Sequence, residues 1–424
     1  MTSAIILSIG DELVLGQTID TNSAWLSQQL AGIGVRMTAH ATVPDDQKMI
    51  EQAIHSAADG CDVLLISGGL GPTEDDLTRQ ALAAVLGVPL ELNEEALFTL
   101  RAFFRFLKRE MAESNKIQAM FPRGTTMIEN SCGTAPGIRA TLQHCQIFVM
   151  PGVPKEMKAM FCGKVLPELE KAGGGAAIVS RTLHTFGVGE SNVAELLGDL
   201  MNRGRNPSVG TTVAGGVVSL RVNSYFDSRE SAMEAAEKTI AICREKLGDL
   251  IYGEDEETLP MVVADLLKSS GKKVATAESC TGGLLAKYLT DIAGSSAYFT
   301  HGWITYSNAA KTQQLDVPED MLKGLGAVSS EVVRAMAQGA LRLAKADVAL
   351  SISGVAGPDG GTAEKPVGMV CIGIAFQRPH SPSVLEAHDR TFRFPGDREF
   401  VRDRSAKMAL TMLRFHLMGR EMPF

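Results

Sequence analysis

The amino-acid sequence predicts an α/β protein of three domains, at residues 1–171, 172–253 and 254–424. In residues 4–170, short Val/Ile/Leu runs alternate with helical patterns, the rhythm of a parallel sheet covered by helices. Residues 177–252 follow the order strand, helix, strand, strand, helix, strand, a small ferredoxin-like split βαβ unit. Residues 257–424 carry a separate αβα signal. A chain of 424 residues also exceeds what one hydrophobic core usually supports.

Taken in order, Ile5–Ile9, Val35–Ala41, Val63–Ile66 and Gln146–Val149 read as strands of the first domain. Its helices are Asn22–Ala31, Gln47–Ala58, Leu77–Leu86, Glu94–Leu107 and Pro154–Glu170. The Ala-Gly-Gly-Gly-Ala stretch at 172–176 is a linker by composition. The middle domain comprises Ile178–Phe186, Ser191–Met201, Ser208–Val213, Val217–Ser224, Glu230–Lys246 and Leu250–Tyr252, with a turn at Gly215-Gly216. Acidic residues 254–257 mark the next boundary and favour the N-terminus of helix Leu259–Ser269. In the third domain Lys273–Ala277 and Val348–Ile352 are buried strands, and Val370–Ala375 pairs with Val384–Phe394. Ala297–Thr305 is apolar and aromatic, while Leu284–Thr290, Val332–Ala344 and Arg398–Leu417 are helices.

Apolar residues make up 45% and charged residues 21%, values usual for a globular protein. The net charge of −8, with no long Lys/Arg block, disfavours nucleic acid as a direct partner. The first residues read as a strand rather than a signal peptide, and no apolar run suffices to span a bilayer. Seven scattered cysteines without a CxxC pair argue against a disulfide framework or structural zinc. A cytoplasmic protein with no membrane partner is expected.

The sharpest local signal is TAESCTGG at 276–283, where a strand ends, a nucleophile-grade residue follows and glycines open a helix. Helix N-termini suit an oxyanion or a phosphate, and ligands of open α/β sheets bind beyond the carboxyl ends of the strands. The same spacing also reads as plain helix capping by Ser279 and Thr281. A serine nucleophile needs a base, and Lys311 of TYSNAAK can serve if burial lowers its pKa. Neither segment holds a histidine, and His301 is the nearest. Cys280 competes with Ser279, but only one of two successive residues can face the site, and a cysteine amidase would want a histidine. The strand-to-loop segment SISGVAGPDGG, with Ser353, Gly354 and Gly357, reads as a site-lining loop or an ordinary turn.

Residues 258–420 resemble the CinA C-terminal family, the nicotinamide-mononucleotide deamidases. The resemblance runs through TAESCTGG, DIAGSSAYF, GWITYSNAAK, GAVSSEVV, SISGVAGPDGG, KPVGMV and FPGDRE. It implies hydrolysis of the nicotinamide carboxamide to nicotinate mononucleotide and ammonia, without a cofactor. It also implies a Ser279–Lys311 dyad, with Thr281, Gly282 and Gly283 offering oxyanion donors. Tyr306 and Asn308 would position Lys311 or the substrate, and charge makes Arg398 a phosphate partner.

In the first domain, Ser67–Arg79 (SGGLGPTEDDLTR) places a glycine-rich turn between strand and helix, a context suited to phosphate on backbone N–H groups. It is neither a Walker loop nor a GxGxxG fingerprint. Asp75 and Asp76 could hold a divalent cation, or could simply complement a helix dipole; Asp11 and Glu12 end the first strand at the same sheet edge. This half resembles the molybdopterin-binding fold, in its CinA N-terminal branch, through SIGDELVLGQTIDTNSAWL, SGGLGPTEDDLT, SNKIQAMFPRG, GTAPG and MPGVPKEM. The resemblance implies nucleotide contacts at Asp11, Glu12, Asn22, Gly68, Gly69, Gly71, Pro72, Thr73, Gly152 and Pro154. It further implies a metal-dependent ADP-ribose pyrophosphatase yielding AMP and ribose 5-phosphate, with the metal at Asp75 and Asp76. The expected partners are thus small nucleotides, nicotinamide mononucleotide and ADP-ribose, and a second copy in a homodimer. A front domain that only binds a pterin or nucleotide, and an interaction protein of the competence or DNA-damage response, are the alternatives.

Overall fold

A computed structural model describes residues 2–172, 177–378 and 381–424, so residues 173–176 of the glycine-rich linker lie outside it. Three larger sheets and a two-stranded ribbon, Leu90–Leu92 with Met120–Pro122, are formed by the described residues. The first contains β1 (Ser3–Ile9), β2 (Arg36–Val43), β3 (Val63–Ser67), β4 (Thr126–Ile128), β5 (Gly137–Leu142) and β6 (Cys145–Met150), in the order β2-β1-β3-β6-β5-β4. The β1, β2, β3 and β6 ladders are parallel. The last two strands add antiparallel. These two strands are absent from the sequence prediction. One is three residues long, and GIRATL lacks the Val/Ile/Leu run by which the others are read.

Helices α1 (Thr21–Gly32), α2 (Gln47–Gly60), α3 (Thr78–Leu86) and α4 (Glu94–Phe106) cover this sheet. Asp20, Asp46 and Asn93 cap α1, α2 and α4 by accepting a backbone N–H three residues on. Gly87 in the left-handed conformation stops α3. One face of the sheet packs on Ile50, Ile54 and Leu82, the other on Leu26, Leu30 and Phe161.

The middle segment forms β7 (Ala177–Phe186), β8 (Ser208–Ala214), β9 (Val217–Phe226) and β10 (Ile251–Glu254), in the order β8-β9-β7-β10. Second, third, first and fourth strand side by side is the split βαβ arrangement the sequence order predicts.

The third sheet joins β11 (Val274–Glu278), β12 (Phe299–Ile304), β13 (Val348–Gly354), β14 (Met369–Arg378) and β15 (Ser381–Arg393), in the order β12-β11-β13-β14-β15. The first three strands are parallel, and the β14–β15 hairpin is antiparallel. On one face α5 (Leu259–Ser270), α6 (Leu284–Thr290) and the closing helix α9 (Arg398–Leu417) bury Val263, Leu285 and Leu413. On the other, α7 (Asn308–Leu315) and α8 (Ser330–Ala344) bury Leu315, Met336 and Leu341. The sequence reading did not foresee α7: its polar, short segment shows little periodicity, and its start is set by Ser307, whose hydroxyl accepts from Ala310 N at 3.1 Å.

By packing, the chain divides into two compact units, Met1–Ser180 with Asn223–Glu237, and Arg181–Val222 with Lys238–Phe424. Among the described residues no helix is long and apolar enough to cross a membrane.

The approach of α7 to α8 depends on Gly339, where an added Cβ would stand 2.1 Å from the Leu315 carbonyl oxygen. Backbone cannot retreat as a flexible side chain can, so Gly339→Ala should displace the end of α7. The expected cost is about 1–3 kcal/mol, read as a fall of several degrees in Tm by calorimetry. An unchanged Tm would refute this close packing.

Candidate active site

Strand β11 lies between β12 and β13 in the third sheet, has every residue buried and delivers Ser279 to the carboxyl edge. The turn is anchored there by Ser279 N donating to Ile352 O of β13 at 2.9 Å. Helix α7 begins beyond the neighbouring strand β12, and Lys311, in its first turn, reaches back towards β11. The Lys311 side chain is 0% exposed and Ser279 8%. Lys311 Nζ lies 3.0 Å from Ser279 Oγ and donates to the Thr305 carbonyl at 2.8 Å and the Tyr306 carbonyl at 3.4 Å.

Among the described residues no carboxylate stands within ion-pair distance of Lys311. Burial is the larger influence on the ammonium and, against a smaller opposing one from Cys280, holds the group below the ordinary lysine range. A neutral amine has two N–H bonds and one lone pair. In the neutral form the two carbonyls can take the N–H bonds, which leaves the lone pair for the Ser279 hydroxyl proton. Cys280, by contrast, is packed in the core, with its thiol pushed up to about 12 by burial. Ser279, not Cys280, carries the geometry of a nucleophile.

The turn's N–H groups are distributed differently from the sequence expectation. Gly282 N donates to Ser279 O at 3.1 Å. Gly283 N donates to the Glu278 carboxylate at 3.0 Å. Neither glycine amide is free for an oxyanion, which corrects that assignment. Among the described residues the N–H groups of Cys280 and Thr281 take no acceptor and are the pair left open. The Thr281 hydroxyl is buried without a hydrogen-bond partner.

The remaining expected residues divide into two groups. Arg398 at the start of α9 donates to Gly357 O at 2.8 Å and to the Tyr306 hydroxyl at 3.0 Å, so these three residues meet. Tyr306 is 60% exposed, and its ring lies on the solvent side of the Lys311 segment while its carbonyl holds the amine. Asn308 is exposed at the first position of α7. Ser353 and Gly354 serve the sheet instead of a ligand. The Ser353 hydroxyl is spent on Ala327 O at 2.7 Å, and a Cβ on Gly354 would stand 2.7 Å from Val370. Two residues escaped the sequence reading. Arg402, one turn beyond Arg398, donates to Thr281 O at 2.7 Å, and the i, i+4 spacing was the available signal. Glu278 stands in the motif itself but reads as an ordinary strand residue.

In the first unit, a cleft of about 560 Å³ opens at the carboxyl edge of the sheet. Glu12, Gly68, Gly69, Gly71, Pro72, Asp75, Asp76 and Gly152 line it, as expected, together with Asp45 and Glu156. Asn22 and Pro154 line a smaller adjoining cavity of about 120 Å³, and Asn22 donates to Ser67 Oγ and Gly152 O. Asp11 is tied to Asp45, each accepting the other's backbone N–H. Burial and the nearby charges of Asp11, Glu12 and Asp75 hold the Asp45 carboxyl above its usual range. The glycine turn is braced from behind by fully buried Arg79, which donates to Leu70 O and Gly71 O. Burial brings that guanidinium down to about 10.

Asp75 and Asp76 do not fit a divalent cation as a pair. Asp76 accepts from Gly71 N at 2.7 Å, from Thr73 N at 2.9 Å and from the Thr73 hydroxyl, which spends both its oxygens on the loop. Among the described residues no three His, Cys, Asp or Glu side chains stand together as metal ligands. The Asp76 assignment is corrected to a loop brace, and Thr73 is its partner.

Comparison with known proteins assigns the chain in three blocks. Residues 5–171 match the "Probable molybdopterin binding domain", 180–253 the "Damage-inducible protein CinA KH domain" and 256–417 the "CinA C-terminal domain". A competence-damage inducible protein of Symbiobacterium thermophilum is 42% identical over 98% of this chain and 99% of its own. The chain belongs to the CinA family. A CinA-like protein of Geobacter sulfurreducens is 40% identical, over 97% of this chain and 98% of its own. A solved CinA structure from Thermoplasma acidophilum is 30% identical and covers 40% of this chain and 98% of its own, with a TM-score of 0.37.

In the native protein, iodoacetamide at about pH 8 should alkylate exposed Cys132 and Cys162 and spare Cys280. Peptide mapping reads the result. Prompt Cys280 labelling would reopen the choice of nucleophile.

Proposed function

We propose that the C-terminal domain is a Ser-Lys amidohydrolase that converts nicotinamide mononucleotide to nicotinate mononucleotide and ammonia. The observation that carries this reading is the 3.0 Å approach of a buried, uncompensated lysine amine to the Ser279 hydroxyl. The amide-bearing nucleotide comes from the resemblance of the motifs around these residues to the nicotinamide-mononucleotide deamidases. Arg398 and Arg402, one helical turn apart, offer guanidinium groups suited to its phosphate.

Neutral Lys311 takes the Ser279 proton as the oxygen attacks the carboxamide carbon. The oxyanion that forms is held by the Cys280 and Thr281 N–H groups, a contribution of about 3–4 kcal/mol for one such donor in comparable enzymes. The Lys311 ammonium returns its proton to the departing nitrogen, which leaves as ammonia, and a Ser279 ester remains. Water, deprotonated by Lys311, cleaves the ester, and the proton passes back to Ser279.

For the front domain we propose a nucleotide-binding cleft with ADP-ribose as ligand. Support comes from the glycine turn, where among the described residues the N–H groups of Gly69 and Leu70 take no acceptor. Turnover there to AMP and ribose 5-phosphate is the finer reading. A cation requirement, if present, must be met by carboxylates other than Asp76.

Ser279→Ala and Lys311→Met should each lower ammonia release from nicotinamide mononucleotide by at least about 10³-fold with an unchanged thermal transition. Because catalysis needs the unprotonated amine, kcat/KM of the wild type should rise with pH through the lowered Lys311 pKa and level off above it. Substantial activity in Ser279→Ala would end this reading. ADP-ribose should yield AMP in both variants as in the wild type. A chromatographic product assay with and without chelator tests this, and absence of AMP in all conditions would leave the cleft a binding site.

A further inference from the structure

Glu278 is the last residue of β11 and the immediate neighbour of Ser279. Its carboxylate is buried, and among the described residues no cation pairs with it. Three backbone N–H groups take its place. Gly283 N and Leu285 N donate to Oε2 at 3.0 Å each, and Ala286 N donates to Oε1 at 2.8 Å. Helix α6, whose first residues these are, has no other side-chain cap, since its N-cap is Gly283. The Glu278 carbonyl accepts from Thr305 N at 2.8 Å, and the Thr305 carbonyl in turn accepts from Lys311 Nζ. One residue thus grips both the turn that carries the nucleophile and the segment that orients its base.

We infer that Glu278 is a positioning residue for the amide hydrolysis proposed above, on which this inference rests. Its carboxylate binds the N–H groups of Gly283, Leu285 and Ala286. The turn Ser279–Gly283 is thereby held in the one conformation that leaves the Cys280 and Thr281 N–H groups for the oxyanion. A carboxylate is required because its two oxygens accept three N–H groups and offer no proton in return. The glutamine amide presents an NH₂ where one of the donors stands. Buried hydrogen bonds to a charged acceptor are strong, and leaving donors unpaired is costly. The turn therefore relaxes when the carboxylate is removed.

The test uses the full chain and two readouts. One is steady-state ammonia release from nicotinamide mononucleotide. The other is phosphonylation of Ser279 by an alkyl fluorophosphonate, read by intact mass, in which Ser279 Oγ displaces fluoride and the phosphoryl oxygen on the tetrahedral phosphorus stands in for the oxyanion without any natural substrate. Glu278→Gln should lower kcat by about 10²–10³-fold, as loss of oxyanion donors does. Its KM should stay within about twofold, and the acid limb of its pH profile should stay at the wild-type position. Fluorophosphonate labelling should fall in parallel. Ala286→Pro removes one of the three donors from the first turn of α6, where no intrahelical hydrogen bond is lost. It should act in the same direction, and adding it to Glu278→Gln should make little further difference. It also carries the test if Glu278→Gln does not fold. Wild-type kcat and labelling in Glu278→Gln would overturn the inference. So would a displaced acid limb, because the charge would then act on Lys311 and not on the turn. A wild type that labels at Ser279 yet releases no ammonia would sink the substrate reading alone, and Glu278 would still be judged by labelling.

Discussion

A lysine amine buried without a counter-charge is the constraint around which the C-terminal domain is organised. Taking an ammonium out of water costs several kcal/mol unless it is paired. No carboxylate offsets that cost at Lys311, so burial lowers the pKa of its ammonium. The two carbonyls that take its N–H bonds belong to Thr305 and Tyr306, directly before the helix that carries it. The strand, its exit and the helix start therefore form one device for presenting a lone pair to Ser279. The burial of Lys311 and Ser279 keeps solvent away from it.

The same economy governs the turns of both sheet edges. In the first domain a carboxylate inside the glycine loop, Asp76, is spent on the N–H groups of Gly71 and Thr73. In the third, Glu278 is spent on the start of α6. Glycine allows backbone to approach a ligand closely, but by itself leaves the loop many conformations. An acidic brace removes that freedom and decides which N–H groups remain available. In both places the acid that looks chemical or unremarkable in sequence acts on the loop, and other amides of the turn are left open.

Much of the fold was legible because strands and helices of the three domains repeat with clear periods. The boundaries of Arg398–Leu417 and Leu284–Thr290 follow from a capping Asp397 and the glycine pair Gly282-Gly283. The short strands Thr126–Ile128 and Gly137–Leu142 and helix Asn308–Leu315 were not legible. Their formation depends on partners supplied by the rest of the sheet and not on their own pattern. Of the site, the nucleophile and base stood out because each chemistry-bearing residue sits where a strand gives way to a loop. Gly282 and Gly283 were misread as donors because sequence cannot say which N–H groups are already taken.

By itself the sequence determined the three α/β segments, the glycine-opened turns, the two segments that carry Ser279 and Lys311 and membership of the CinA family, since period, spacing and motif are local properties. Only the tertiary structure decided that Lys311 is buried without an acid, that Ser279 rather than Cys280 meets it, and that Asp76 and Glu278 brace backbone. Each of these depends on which distant groups share a desolvated volume, and burial, unlike periodicity, is a property of the packed whole.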